Sequence, residues 1–315
     1  MAAPDYQSLI DAPTWAFIRK TEESYPADTA TLGIADQRAI YDRMCRAFHR
    51  GYPPGITARD EDIAGVRCRR YPGARPTVLY MHGGGFVVGG LESHDDVCAE
   101  IRARTGLEVI AIDYRLCPEH PHPAAYDDCL AVAQAVPGPV LLAGDSAGGN
   151  LAAAVAHALR HDGPVLGRVQ GRVLGQVLIY PGLGGDRRRG SHVTHAHAPM
   201  LTAADIDFYA AIRHGGTLPV HPDPTASPLA AMDFSGLPPT LAVAAECDPL
   251  ADDATAYVAA LQAAGCRAHV VVEPGLVHGY LRARASVPRA SASFDRIVMA
   301  LGAFAHGDWP FGDDR

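Results

Sequence analysis

Short runs that are apolar almost throughout recur along the chain at 76–81 (PTVLYM), 108–114 (EVIAIDY), 139–144 (PVLLAG), 176–181 (QVLIYP), 239–245 (PTLAVAA) and 268–274 (AHVVVEP). Segments of helical character alternate with them, and this alternation predicts a mostly parallel sheet with helices on both faces. One helix is expected after Gly148, where alanine and leucine dominate. A second follows Pro249, through LADDATAYVAALQAAG, with Gly265 as its stop, and a third lies in SFDRIVMALGAFAHG. Two stretches break the rhythm. Residues 1–48 hold helical patches such as IADQRAIYDRMCRAFHR, and about 183–228 form an insertion between two strands. Both are read as cap material over the strand ends. The remainder, 49–315, is the α/β domain, and there is no internal repeat.

Composition narrows this picture. With 315 residues, 48% of them apolar and 20% charged, the chain matches an ordinary globular protein, and one domain with insertions is expected. The 27 basic and 35 acidic residues leave a charge of −8, which repels polyanions, so nucleic acid is not an expected partner. The opening MAAPDYQSLIDAPTW lacks a basic region followed by an apolar run, and no stretch has the length of a membrane span, so a cytoplasmic protein is expected. Seven cysteines are scattered without a C-x-x-C pair, a pattern of reduced thiols and not of disulfides or a zinc knuckle.

Chemistry enters at the end of the third run. Gly144-Asp145-Ser146-Ala147-Gly148 stands where a strand gives way to a helix. Glycines two before and two after a serine permit a tight turn that leaves the hydroxyl at the carboxyl end of the sheet, beside the free N–H groups of a helix start. An N-cap serine in a plain turn is the alternative. The stretch VLYMHGGGFVVGG shifts the balance, because His82-Gly83-Gly84-Gly85 follows a strand and three glycines bare backbone donors that can face an oxyanion. A dinucleotide fingerprint from Gly83 would need glycine in place of Val88, and G-K-[ST] is absent. A serine nucleophile needs a base and an orienting carboxylate. Asp248, just past the fifth run, and His278, in the loop after the sixth and before Gly279, supply them in order. Glu246, Asp252 and Asp253 are rivals for the acid, and Asp248 could itself serve as an N-cap.

HGGGF at 82–86, YRLCPEHPHPAA at 114–125, GDSAGGNLA at 144–152, DPLADD at 248–253 and HGY at 278–280 together resemble the hormone-sensitive-lipase-like branch of the α/β-hydrolases, the bacterial family IV carboxylesterases and acetyl esterases. The resemblance spans about Tyr80 to Tyr280. It implies an eight-stranded, mostly parallel sheet with a helical cap. It makes Ser146 the nucleophile, His278 the base and then acid, and Asp248 the orienting carboxylate. The N–H groups of Gly84, Gly85 and Ala147 would form the oxyanion hole, with His82 behind them, holding the glycine loop. It implies no metal and no organic cofactor. Cys117, His122 and Tyr280 depart from the pattern, standing where alanine, phenylalanine and phenylalanine are usual.

The expected reaction is hydrolysis of small esters with short to medium acyl chains through an acyl enzyme. Arylformamide or amide hydrolysis on the same residues is the alternative, and a receptor that binds without hydrolysis is a more distant one. Trp15, Phe17, Met200, Phe208 and Tyr209 are the expected pocket walls. His192, His195 and His197 sit two or three apart, but without interleaved acid or cysteine they are a poor metal pattern. Arg187 to Arg189 are expected to form a solvated loop. Pairing of two copies through an edge strand is compatible with the resemblance.

Overall fold

The six apolar runs are six parallel strands lying side by side in a computed structural model that describes residues 4–26, 29–160, 172–217 and 221–312. Small parts of the ranges named above, at 1–3, 27–28, 161–171, 218–220 and 313–315, lie outside it. The strands are β1 (Arg59–Ile63), β2 (Val66–Tyr71), β3 (Ala74–Met81), β4 (Leu107–Ile112), β5 (Val140–Asp145), β6 (Val173–Ile179), β7 (Thr240–Cys247) and β8 (Ala268–Val277), in the order β1-β2-β4-β3-β5-β6-β7-β8. The helices are α1 (Tyr6–Leu9), α2 (Ala12–Glu22), α3 (Ile34–Phe48), α4 (Asp95–Thr105), α5 (Ala124–Ala135), α6 (Ala147–Leu159), α7 (Ser191–Thr194), α8 (Ala203–Arg213), α9 (Ala251–Ala263) and α10 (Pro288–Ala305).

Strand periodicity divides each apolar run between two cores. Val78, Tyr80, Leu141, Ala143, Val177 and Ile179 face one core, shared with Ile101 of α4 and with Ile297 and Leu301 of α10. Leu79, Met81, Leu142 and Leu178 face the other, with Cys129 of α5, Leu151 of α6 and Tyr257 of α9. A strand buried on both faces has no polar side to show, which is why these runs lack alternation.

The β1–β2 hairpin behaves differently. It pairs antiparallel and joins the sheet antiparallel to β4. It carries an ion pair on each face, Arg69 with Asp60 at 2.7 Å and Arg70 with Glu61 at 2.5 Å, while Val66, Cys68 and Tyr71 are buried. Helix α10 begins at Pro288, earlier than the expected 293, because proline at its first position needs no N–H partner. Gly265 closes α9 as expected, with φ of +79°.

Register fixes the functional geometry. Met81 of β3 pairs with Gly144 of β5, Asp145 with Ile179 of β6, and Cys247 of β7 with Val277 of β8. The carboxyl ends of these strands therefore share one edge, and His82, Ser146, Asp248 and His278 each stand one residue beyond a strand end. Open parallel sheets place ligands at that edge.

Candidate active site

Ser146 is the N-cap of α6 and adopts φ 55° and ψ −116°, a conformation that a side chain normally avoids. The surroundings hold it there. Its N–H donates to the Ile179 carbonyl at 2.8 Å, and a Cβ on Gly148 would lie 1.9 Å from the Met81 carbonyl oxygen. Helix α6 buries nearly every residue, and its small side chains let it approach β3 and β5 closely. The serine hydroxyl is consequently delivered to the strand edge by packing over the whole helix.

His278 Nε2 lies 2.8 Å from Ser146 Oγ, and its Nδ1 lies 2.7 Å from Asp248 Oδ2. Asp248 is wholly buried and the imidazole nearly so. The second Asp248 oxygen accepts the Leu250 N–H at 2.8 Å, so one oxygen caps the turn and the other meets the His278 ring. The rival acids are engaged elsewhere. Glu246 accepts the Gly275 N–H, Asp252 the Ser191 N–H, and Asp253 the N–H groups of Leu183, Gly184 and Gly185.

The glycine loop wraps the other side of the serine. Gly84 has φ of +127°, and a Cβ there would lie 2.1 Å from the Val88 carbonyl oxygen, so only glycine fits. Among the described residues the N–H groups of Gly84 and Gly85 have no backbone acceptor, and that of Ala147 opens α6, where no intrahelical partner exists. These three donors are free for a ligand oxygen. Behind the loop, the His82 ring stacks on Tyr114 at 4.2 Å and its Nδ1 donates to the Gly83 carbonyl at 2.8 Å. Asp145 is buried beside it, accepting from the Tyr80 hydroxyl at 2.9 Å and the Gly83 N–H at 3.0 Å, with His94 Nε2 at 3.2 Å.

Burial, reinforced by His94, holds the His82 imidazole down at about 4, against an ordinary 6.5, and burial depresses His157 to about 4 as well. Between pH 6.5 and 4 the unfolded chain therefore binds more protons than the folded one. Stability from these residues is full above about pH 6.5 and falls as the pH drops toward 4. His82→Asn, which keeps a donor for Gly83 but cannot titrate, is expected to flatten that fall by up to about 1.4 kcal/mol per pH unit. Urea unfolding across this pH range measures it; an unchanged slope contradicts the buried neutral imidazole.

Two cavities meet at Ser146. One, of about 340 Å³, runs past Ala147, Asn150 and Arg213; the other, of about 430 Å³, contains His278, Tyr25, Tyr41 and Arg282. Gly85, Leu201 and Tyr209 wall both. Of the expected wall residues, Met200 and Tyr209 line these cavities. Phe17 instead packs edge-on against Phe48 in the core, Trp15 packs beside that core, and Phe208 is exposed. Arg213 and Arg282 also line these cavities, and no sequence signal marks this, since charged residues in a helix and a short turn read as surface.

The histidine cluster disperses. His192 bonds Asp253 at 2.9 Å, His195 bonds the Tyr6 hydroxyl at 3.1 Å, and His197 is exposed. Among the described residues no three metal-ligating side chains converge. Arg187 pairs with Asp207, and Arg188 and Arg189 with Asp186. Of the departures, the extra hydroxyl of Tyr280 shares a hydrogen bond with the Ser293 hydroxyl at 2.6 Å, His122 bonds Asp223 and Thr225 at 3.1 Å, and Cys117 is buried.

A family model described as alpha/beta hydrolase fold matches residues 78–282, which include every residue brought together at the strand edge. The chain belongs to the α/β-hydrolase family. Within it, several similar proteins are named as esterases. Esterase LipI of Mycobacterium tuberculosis is 37% identical over 247 residues, 74% of each chain. An ethyl acetate hydrolase of Pseudomonas putida is 34% identical over 262 residues, 78% of this chain and 80% of that one. The solved structure of an esterase from the bacterial hormone-sensitive lipase family superposes with a TM-score of 0.81 at 29% identity, over 93% of this chain and 98% of the other. This α/β-hydrolase is thus a carboxylic ester hydrolase of the hormone-sensitive-lipase-like group. No described helix is long and apolar enough to cross a membrane.

Proposed function

We propose that this carboxylic ester hydrolase works through Ser146 as nucleophile, His278 as general base and then acid, and Asp248 as the carboxylate that orients His278. The supporting observation is the continuous chain Ser146 Oγ, His278 Nε2, His278 Nδ1, Asp248 Oδ2 with links of 2.8 and 2.7 Å. Asp248 accepts the Nδ1 proton, which leaves the Nε2 lone pair facing the hydroxyl. His278 removes the Ser146 proton as Oγ attacks the ester carbonyl. The oxyanion takes the N–H groups of Gly84, Gly85 and Ala147, and His82 keeps the glycine loop in place. Nε2–H then protonates the departing alcohol, and water repeats the sequence on the acyl enzyme.

Because Nε2 must reach the leaving oxygen, the lobe that contains His278 receives the alcohol half, and the lobe past Ala147 and Asn150 receives the acyl half. Its 340 Å³ supports short to medium acyl chains, and the ethyl acetate hydrolase relative supports the short end. Residues 1–48 and about 183–228 act as the cap on the catalytic domain 49–315; Tyr25, Tyr41 and Tyr209 from these ranges wall the cavities. The seven unpaired thiols support work in a reducing cytoplasm. Two copies pairing through an edge strand complete the reading, and light scattering counts them.

The decisive experiment is covalent. Rapid acid quench during p-nitrophenyl acetate turnover, followed by peptide mapping, is expected to find one acyl group on Ser146, with p-nitrophenyl esters from acetate to laurate losing kcat/KM at the long end. Acylation at another residue, or turnover with no adduct and no burst, overturns the assignment.

A further inference from the structure

The alcohol-side cavity holds a cation that no carboxylate touches. Arg282 sits in the short turn Tyr280–Ala283 that follows His278, and it lines the cavity together with Ser146, Gly279, Tyr25 and Tyr41. One Nη donates to the Tyr41 hydroxyl at 2.5 Å, the Cys45 thiol lies against the guanidinium, which is 5.0 Å from the Tyr41 ring centre, and Nε is buried without an acceptor. Among the described residues no carboxylate oxygen lies within 4 Å of it. Arg284, two residues on, shows what a fully paired arginine looks like in this fold, with Asp96 at 2.6 Å and Glu100 at 2.8 Å.

The acids that line the same cavity do not fill this role. Asp145 acts on Arg282 through space but does not contact it, its oxygens being held by Tyr80, Gly83 and His94, while Glu22 and Asp205 are exposed, where salt screens them. A guanidinium largely withdrawn from water with donors that no carboxylate takes up directly is left short of hydrogen bonds, and a bound anion supplies them. Its planar donors match a carboxylate. Tyr41 strengthens the site: its oxygen takes the arginine N–H, so its own proton is available to a ligand. Burial raises the Tyr25 and Tyr41 phenols, which keeps both as donors.

Resting on the serine-esterase reading above, we propose that Arg282 is a specificity residue for esters whose alcohol half carries a carboxylate. Such a group, seated against Arg282 and Tyr41, holds the leaving oxygen on the His278 side of Ser146.

The test compares 3-acetoxybenzoate with its neutral isostere 3-acetoxybenzamide at neutral pH, in wild type, Arg282→Gln and Arg282→Lys. The ratio of kcat/KM values, anionic over neutral, cancels any shared loss of structure. It is expected to fall about tenfold or more in Arg282→Gln and to be partly retained in Arg282→Lys. Equal ratios in wild type and Arg282→Gln overturn the proposal and leave Arg282 as packing for α3. A wild-type measurement stands if the variants misfold. 3-Hydroxybenzoate is expected to inhibit p-nitrophenyl acetate hydrolysis about tenfold more tightly than 3-hydroxybenzamide, with the gap narrowing as salt rises. Equal inhibition overturns the proposal as well. Turnover of the neutral ester that vanishes in Ser146→Ala, beside an unmoved ratio, removes the role of Arg282 alone; turnover that survives in Ser146→Ala removes the reading beneath it.

Discussion

Ser146→Ala is expected to lower kcat on p-nitrophenyl acetate by on the order of 10⁶-fold, with the protein folded and KM within a few-fold of wild type. The size follows from what is left behind. His278 and Asp248 keep their 2.7 Å link but have no hydroxyl to deprotonate. The donors of Gly84, Gly85 and Ala147 still polarise a bound carbonyl, which sustains a residual rate above that in water. Alanine should also relieve nothing in the turn, because the φ of 55° is set by the Ile179 hydrogen bond and the Gly148 contact, not by the hydroxyl. Stopped-flow and steady-state assays on purified protein decide it, and a loss of less than about 100-fold would point to another nucleophile.

Asp248→Asn is expected to cost about 10⁴-fold in kcat, although only one atom changes. The argument turns on the Leu250 N–H, which donates to Oδ1 at 2.8 Å. An asparagine must keep its carbonyl oxygen there, since an NH₂ group would set donor against donor. Its NH₂ then faces His278 Nδ1 and fixes the tautomer with the proton on Nε2. The lone pair that should face Ser146 is gone, while packing is preserved. Circular dichroism should match wild type, and a loss below tenfold would contradict the orienting role.

The sheet is legible in the sequence, and so is the placing of both residues just past strand ends. Strands buried on both faces leave runs such as VLYM and TLAVAA, and a helix made of GGNLAAAVAHAL needs contact on every side. The β1–β2 hairpin leaves little trace in the sequence because it is held together by paired charges such as Arg69 with Asp60, which in sequence look like any solvated segment. The cavity walls were harder still. Phe17 is aromatic and early in the chain, yet Phe48 claims it for the core, whereas Tyr25 and Tyr41, from the same region, reach the cavity. Which face of a helix covers a site depends on how it docks, and no local pattern encodes that. Arg213, stacked 3.6 Å over Phe86, is the extreme case: a buried charge whose partners lie on other elements.

Tyr209 and Leu201 stand as a common partition between the two halves of the site, and the Tyr209 ring also rests where a Cβ on Gly85 would fall. The two halves of an ester are therefore not judged separately. A change to that partition that widens room for the acid component simultaneously redraws the space for the alcohol, so substitutions made there combine non-additively and selection for one substrate half carries the other along with it.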